Sequence, residues 1–444
     1  LVRFACIMNG LYDAAGRGGL GAVMGSKNLK AIAVRGHQPP SVSAPERIKE
    51  LRDWLMAHIR LVRDFQEYGT GAGMVGFEKA GNLPVRNFRD GLFPGVSKID
   101  GPAIRDTIRI RMDACFGCPV RCKKVVEVKE PYPVDPAYGG PEYETLAALG
   151  SNCGIDDLKA IAKGNELCGA YSLDTISTGG VIAFAMECFE SELLTTRDTG
   201  GLELRFGNAE AMLRLIELIA RRKGIGAWLA DGTLKAAQRI GHGAEQLAIQ
   251  VKGLEAGMHE PRFKPGLGLG FMVNPHGADH CCNLHDSMYS VEGQMRELRP
   301  LGILEPVPTD DIGPRKVALF RFIQLKRIMA DSAVLCLFLP YSFEQVTGAI
   351  AAATGWDTGV MEQLRVAERI LTMARLFNIR EGFTAADDRL PPRFFQPKTD
   401  GVLSNKPLDP AKMEKAKSYY YTLMGWDART GVPLPEKLEE LGIT

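Results

Sequence analysis

Residues 16–34 of the 444-residue chain read GRGGLGAVMGSKNLKAIAV. In the glycine loop, residues 16–21, four glycines expose backbone N–H groups, and Arg17 places a guanidinium beside them. Such a loop suits a phosphate-like anion, but a tight turn that needs positive φ explains the glycines equally well. The loop has neither the Gly-Lys-Ser/Thr of a Walker loop nor the βαβ setting of a dinucleotide fold. The run Ala31–Val34 predicts a short β-strand.

The composition is that of a folded protein without a charge bias. Apolar residues make up 45% of the chain, and 54 basic side chains nearly balance 53 acidic ones. Such a chain can build large cores and has no general attraction for nucleic acid or anionic membranes. Apolar runs such as Ala333–Leu339 are far shorter than the ~20 residues of a membrane helix. We therefore expect a soluble protein of two or three domains that binds neither nucleic acid nor a membrane.

The cysteine content and the first residues bear on the cellular compartment. Ten cysteines are too sparse for a disulfide scaffold, and the chain opens without a sequence typical of a secretory leader. We therefore expect a reducing, cytoplasmic environment. The opening Leu1–Cys6 resembles the middle of a domain, and we interpret the chain as a fragment.

Helical periodicity dominates the remainder of the chain. Ser43–Glu46 has the form of a capping box, and apolar residues recur at helical spacing from Ile48 to Val62. The same periodicity predicts helices at Leu158–Cys168, Ala209–Ala220, Val317–Ile328, Phe343–Ala352, Met361–Phe377 and Ala411–Leu423. Strand signals are few and scattered. The sequence therefore predicts a mainly α fold.

The sharpest chemical signal is Asp113–Cys122, which reads DACFGCPVRC. Three thiolates at C-x2-C-x3-C spacing in a short loop can converge on one iron–sulfur cluster. Structural zinc usually pairs two C-x2-C halves, and this sequence has one, so a cluster is favoured over zinc or incidental thiols. A 4Fe-4S cluster needs a fourth thiolate. Spacing alone leaves seven candidates, which are Cys6, Cys153, Cys168, Cys188, Cys281, Cys282 and Cys336.

Several motifs together resemble one family. Arg17–Ile32, the cysteine loop, Pro141–Thr145 and Leu173–Gly179 occur in the order of the tungsten-containing aldehyde ferredoxin oxidoreductase family, which the chain closely resembles. The resemblance implies two helical domains preceded by the remnant of a β-rich, pterin-binding N-terminal domain. The implied ranges are 1–37 for the remnant, 38–248 for the helical domain with the cysteine loop, and 249–444 for the C-terminal helical domain.

The resemblance also implies cofactors and an activity. The cofactors are tungsten, or molybdenum, held by two pyranopterins, a 4Fe-4S cluster, and a Mg²⁺ ion bridging the pterin phosphates. The activity is oxidation of a small aldehyde to a carboxylic acid, with ferredoxin or a similar iron–sulfur carrier as acceptor. A homodimer or separate electron-transfer subunits are expected. The alternatives are a related reductase of aromatic acyl-CoA or carboxylic acids, and a non-catalytic iron–sulfur or zinc-stapled scaffold.

Individual residues of the chain match positions of the family motifs. Arg17, Gly18 and Gly19 match the loop that grips the pterin phosphates. Cys115, Cys118 and Cys122 match the cluster ligands.

The family's two pterin motifs read Asp-x-x-Gly-Leu-Asp and Asp-x-x-Gly-Leu-Cys. The second corresponds to residues 331–336, so it implies Asp331, Leu335 and the fourth cluster ligand Cys336, although Val334 replaces the glycine. The first corresponds to residues 169–174, of which only Leu173 and Asp174 are kept. Both aspartates would accept hydrogen bonds from pterin N–H groups. Without the family, they would be interpreted as helix-terminal or capping acids.

Two further residues are implied for catalysis. Glu144 matches a glutamate beside the metal that can act as a general base, although a capping or solvent-facing acid is the alternative. His280 lies in HGADHCCNLH, residues 276–285, which holds three of the seven histidines, and it fits a proton donor over the metal. A separate zinc site or structural histidines would also explain this segment. His259 and Glu260 are weaker candidates for the same cavity.

Overall fold

The structure, a computed structural model, describes residues 1–295 and 298–443. Helices dominate this part of the chain, and its strands form antiparallel two-stranded hairpins. The α-helices are α1 Leu20–Ser26, α2 Pro45–Ala57, α3 Arg63–Tyr68, α4 Met74–Lys79, α5 Gly101–Thr107, α6 Tyr143–Thr145, α7 Leu158–Tyr171, α8 Thr175–Glu190, α9 Ala209–Ala220, α10 Gly226–Leu229, α11 Thr233–Ile240, α12 Pro265–Val273, α13 Pro314–Ser332, α14 Phe343–Thr354, α15 Val360–Arg380, α16 Pro410–Leu423 and α17 Pro435–Leu441. The paired strands are β1 Ile7–Asn9 with β2 Asp13–Ala15, β3 Arg109–Asp113 with β4 Lys123–Val126, and β5 Gln250–Val251 with β6 Leu254–Glu255. The predicted mainly α fold is confirmed.

The chain divides into two compact units, each assembled from three stretches of sequence. The first unit contains Leu1–Ile32, Asp64–Phe263 and Leu390–Leu408. The second unit contains Ala33–Arg63, Lys264–Arg389 and Asp409–Thr444. The domain boundaries expected near residues 37 and 248 stay a prediction. None of the described helices combines the length and the apolar character that a bilayer span requires.

Helix α8 lies in the core of the first unit. Nearly all of its residues from Ile176 to Cys188 are buried, whichever face of the helix they occupy. It packs against the π-helical turn Leu146–Gly150, and a Cβ at Gly179 would lie 2.5 Å from the carbonyl of Ala148. Glycine therefore allows the two backbones to touch. Because α8 is buried on every face, it lacks the one-sided apolar periodicity from which the other helices were predicted.

The second unit is a helical assembly built around α13. Helix α13 packs against α15 and α16, the uniformly buried helix α12 packs against α13 and α16, and α2 packs against α14. The helices predicted from periodicity in this unit are confirmed as α2, α13, α14, α15 and α16, and those in the first unit as α7 and α9.

Two local predictions at the start of the chain are wrong. The capping box at Ser43–Glu46 does not form, because α2 begins after Ala44, whose backbone N–H donates to the carbonyl of Ala352. The run Ala31–Val34 is not a strand. A strand needs a hydrogen-bonded neighbour, and none of the described strands pairs with this run. Accordingly Ile32 and Val34 are 73% and 89% exposed.

Candidate functional site

The glycine loop connects β2 to α1, and its glycines serve two purposes. Gly18 and Gly19 have φ of 99° and 72°, which favours glycine. A Cβ at Gly19 or Gly21 would lie 2.2 Å from the carbonyl oxygen of Arg3 or Cys6, so these two glycines are required by packing. At Gly16 and Gly18, by contrast, no atom of the described residues, apart from the chain neighbours, lies within 4 Å of where a Cβ would stand. The loop therefore has a packed side and an open side, and the open side can admit an anion.

Arg17 contacts Asp174, the acid at the start of α8. Arg17 Nε donates to Asp174 Oδ2 at 3.2 Å, and Nη2 donates to the carbonyl of Glu255. The two side chains are only 13% and 6% exposed. Asp174 also caps α8, because its carboxylate accepts the backbone N–H groups of Ile176 and Ser177. Asp174 is therefore a capping acid that also contacts the glycine loop, and its predicted contact with a pterin stays a prediction.

The segments that correspond to the two pterin motifs, residues 169–174 and 331–336, adopt the same backbone turn. Ser172 ends α7 and Val334 follows α13, and both have positive φ, 58° and 56°. In each motif the next N–H closes the turn, with Leu173 donating to Cys168 O and Leu335 donating to Ala330 O, both at 2.8 Å. This is the left-handed helix ending that favours glycine. It explains in physical terms why the family motif has glycine at the fourth position.

We therefore expect Val334→Gly to raise the free energy of unfolding by about 1 kcal/mol, because a β-branched residue is strained at positive φ. Val334 is 91% exposed, so its removal costs little buried apolar area. Thermal melting with calorimetry checks this. Ser172→Gly should give a smaller gain, and Val402→Gly, at an exposed position without positive φ, should lower stability. Equal effects at Val334 and Val402 would contradict the assignment of strain.

The three cysteines of the C-x2-C-x3-C loop lie at the tip of the β3–β4 hairpin. Gly117 and Arg121 have positive φ, and the N–H of Cys118 donates to Cys115 O at 3.0 Å, which folds the loop back on itself. The ammonium of Lys123 contacts Cys115 and Asp13. This donor set suits iron.

The other cysteines differ in exposure. Burial raises the pKa of Cys6, Cys168 and Cys188 to about 12, and Cys153 is also buried with a raised pKa. These four are therefore thiols of the core. Cys336, in the second unit, is exposed in the turn after α13, and its sulfur accepts the N–H of Phe338 at 3.4 Å.

Glu144 lies in α6 and is held by the segment that follows β6. Its Oε2 accepts the backbone N–H of Met258 at 2.8 Å, and its Oε1 lies 3.3 Å from His259 Nε2. The side chain is 14% exposed, so it is not a solvent-facing acid. A hydrogen bond of 2.8 Å between the hydroxyls of Thr145 and Thr175 links α6 to the start of α8. The first unit thus connects the turn that carries Glu144 to the helix start that carries Asp174, and Asp174 contacts Arg17.

His259 and Asn82 complete this group. Asn82 Nδ2 lies 3.2 Å from His259 Nδ1, and both residues are buried. The aromatic rings of Phe77 and Tyr143 pack against the imidazole. The sequence offered His259 only as a weak candidate and gave no signal for Asn82, which lies 177 residues away along the chain.

The predicted proton donor His280 lies in the second unit and is partly buried. Its Nε2 lies 3.4 Å from Cys281 Sγ, and its carbonyl is 3.2 Å from His285 Nε2. Within the described residues, the one group of three His, Cys or acidic side chains whose ligand atoms all lie within 4.8 Å is Asp279, His280 and Cys281. The positions of these three side chains are therefore consistent with the alternative of a zinc site. Asp279, however, already accepts the N–H groups of Cys281 and Cys282.

Asp331 is exposed in the last turn of α13. A carboxylate is disfavoured there by the helix dipole, and it cannot cap this end of the helix, so helix stability does not explain it. Its Oδ2 accepts a hydrogen bond from Cys282 Sγ at 2.6 Å. Burial first, and then the carboxylates of Asp331 and Asp279, raise the pKa of Cys282 well above its usual value, so Cys282 remains a thiol donor.

Comparison with known proteins identifies the family. The model of "Aldehyde ferredoxin oxidoreductase, domains 2 & 3" matches residues 46–443, and that of the N-terminal domain of the same proteins matches residues 1–36. The chain belongs to the aldehyde ferredoxin oxidoreductase family. It is therefore a member of an oxidoreductase family, as its motifs predicted.

Relatives of this aldehyde ferredoxin oxidoreductase family member match its whole length. It is 37% identical to the "Tungsten-containing aldehyde ferredoxin oxidoreductase" of Pyrococcus furiosus and to that of Thermococcus kodakarensis, covering 71% of each. It is 31% identical to the "Aliphatic sulfonate oxidoreductase, WOR-like subunit" of Pyrococcus furiosus, covering 68% of it. The family implies a tungsten pterin cofactor.

A solved structure shares the fold. The active site complex BamBC of benzoyl coenzyme A reductase, in complex with 1,5-dienoyl-CoA, matches all of this chain and 72% of its own with a TM-score of 0.77. At 24% sequence identity, this likeness shows the fold alone.

Proposed function

We propose that this chain oxidises aldehydes to carboxylic acids at a tungsten bis-pyranopterin centre and passes the electrons through a 4Fe-4S cluster to ferredoxin or a similar carrier. The observation that carries the proposal is the 37% identity over the whole chain to enzymes named for this activity. The contact of Arg17 with Asp174, and the burial of Glu144 in the same group, support it.

The residues of the glycine loop fit an anionic ligand. Open space beside Gly16 and Gly18 gives a phosphate access to the backbone, and the guanidinium of Arg17 adds positive charge. Arg17, Gly18 and Gly19 would hold the pterin phosphates, with Mg²⁺ as the bridging ion. Asp174 directly follows Leu173, and Asp331 lies in the same motif as Leu335. Both aspartates would accept hydrogen bonds from pterin N–H groups. Leu173 and Leu335 would line these contacts.

The cysteine loop fits an iron–sulfur cluster. Cys115, Cys118 and Cys122 would supply three thiolates, and Cys336, exposed after α13, would supply the fourth. When bound, the tungsten centre and the cluster accept two electrons from the substrate and release them one at a time. For an aldehyde and water, the products are a carboxylate, two electrons and three protons.

The proposed catalytic roles belong to Glu144 and His280. Glu144 accepts a proton from the water, or from the aldehyde hydrate, that supplies the second oxygen of the product. The two N–H groups that contact its oxygens fix the orientation of the carboxylate. His280 supplies or removes a proton during turnover.

A related reductase of aromatic acyl-CoA thioesters or carboxylic acids is the second candidate. The observation that favours it is the concentration of histidines in residues 276–285, because ring reduction needs a proton with each electron. The shared fold of the benzoyl coenzyme A reductase complex is compatible with it.

An activity assay of the anaerobically purified chain separates the candidates. We expect reduction of a viologen dye that depends on added aldehyde, and no oxidation of reduced dye on addition of benzoyl-CoA. The reverse pattern would contradict aldehyde oxidation and support the reductase. Absence of both activities, in a protein that contains zinc alone, would support the non-catalytic scaffold.

A further inference from the structure

We propose that His259 is a positioning residue for Glu144, and that Asn82 sets the tautomer in which His259 acts. The proposal rests on the proposed role of Glu144 as the general base. It concerns a chain of polar contacts through buried side chains of the first unit. The chain runs from the backbone of Glu260 through Asn82 and His259 to Glu144.

The backbone of Glu260 fixes the orientation of the Asn82 amide. Asn82 Oδ1 accepts the N–H of Glu260 at 3.3 Å, so the amide oxygen faces Glu260. Its Nδ2 therefore faces His259 Nδ1, at 3.2 Å. An amide nitrogen can only donate, so Nδ1 must be the acceptor and carries no proton.

A neutral imidazole with an acceptor at Nδ1 carries its proton on Nε2. The Nε2 atom lies 3.3 Å from Glu144 Oε1, which is an electrostatic contact, while the backbone N–H of Met258 donates to Oε2 at 2.8 Å. One N–H group thus contacts each oxygen of the carboxylate.

Packing prevents the imidazole from turning away. The His259 ring lies 5.2 Å from the ring of Tyr143 and 6.1 Å from that of Phe77, measured between centroids. Asn82 is fully buried and the His259 side chain is 7% exposed. In so dry a setting, the electrostatic contact of an N–H group with a carboxylate is stronger than the same contact in water.

The segment that carries His259 has other attachments. Tyr143 Oη donates to the carbonyl of Met258 at 2.6 Å, and Met258 N–H donates to Glu144. These bonds do not involve the imidazole. A substitution of His259 therefore removes one polar contact with Glu144 and leaves the segment in place.

The test uses His259→Leu and His259→Gln in the holoenzyme. Loss of a buried polar contact with a charged group predicts a fall of about 10- to 100-fold in kcat for His259→Leu, with KM changed less than about threefold. Glutamine carries an N–H donor, so His259→Gln should recover most of the loss. Iron content, tungsten content and melting temperature should be alike in the two variants. His37→Leu, at an exposed position, is the matched control.

A double-mutant cycle tests the part of Asn82. Asn82→Ala should lower kcat severalfold on its own and have no further effect in the His259→Leu background, because Asn82 acts through the imidazole. Additive effects of the two substitutions would overturn the assigned tautomer role.

The outcomes distinguish this proposal from the proposed function. If Glu144→Gln abolishes turnover while His259→Leu retains the wild-type kcat, Glu144 keeps its role and the positioning role of His259 is wrong. Equal losses in His259→Leu and His259→Gln, or a loss of tungsten in either, would also overturn it. If Glu144→Gln leaves turnover unchanged, the base role itself fails.

Discussion

The Glu144→Gln variant should lose about 10²- to 10⁴-fold in kcat for aldehyde oxidation, the usual contribution of a positioned general base. Glutamine has nearly the same shape, but it does not accept a proton at neutral pH. Because Glu144 lies in a short turn that is also anchored by Tyr143 and Thr145, the variant should keep its fold. Steady-state kinetics with a dye acceptor measures the effect.

The control for this variant is Glu127→Gln, an exposed acid of the same unit, which should leave kcat unchanged. Metal content is measured on both proteins. A Glu144→Gln enzyme that retains its metals and turns over like the wild type would show that the base lies elsewhere. Loss of tungsten from the variant would instead assign Glu144 to cofactor binding.

The largest effect on stability is expected for Glu260→Gln, a loss of about 3–5 kcal/mol in the free energy of unfolding. Glu260 is fully buried and pairs with Arg262 Nε at 2.8 Å and with Lys398 Nζ at 3.0 Å, and both cations are buried as well. A neutral side chain would leave two buried cations without their counter-charge. Thermal and denaturant unfolding measure the loss.

Glu305→Gln is the matched control, since Glu305 pairs with Arg315 at an exposed position, where an ion pair contributes little. Equal effects at the two positions would contradict the assigned role of burial.

The same ion pairs make stability depend on pH. Burial opposes ionisation of Glu260, but the charges of Arg262 and Lys398 outweigh it and lower the pKa of Glu260 from 4.5 to about 2. A group whose pKa is lower in the folded state stabilises the fold above its unfolded pKa, and that contribution is lost as the pH falls through the folded pKa. The wild-type protein should therefore lose this contribution between about pH 4.5 and pH 2, and Glu260→Gln should not.

The parts of the fold that could be predicted from sequence are those with one buried face. Helices such as α9 and α15 carry a one-sided apolar pattern, and their positions followed from it. Helices α8 and α12 are buried on every side, so their sequences carry no period to detect. The strand predicted at Ala31–Val34 does not form, because strand formation depends on a partner strand that the local sequence does not specify.

The site also has parts that could be predicted from the sequence and parts that could not. The cysteine spacing and the two pterin motifs are local patterns, so they could be recognised along the chain. The contacts of Glu144 with Met258 and His259 span more than a hundred residues, and only the fold brings them together. The strain at Val334 is also invisible in the sequence alone, because it depends on the sign of φ.

Elemental analysis of the chain purified without oxygen, beside its Cys118→Ser variant, tests the proposed cofactors most directly. We predict about four iron atoms and one tungsten atom per wild-type chain, and a marked loss of iron from the variant. Zinc as the sole metal, or an iron content that Cys118→Ser leaves unchanged, would contradict this prediction.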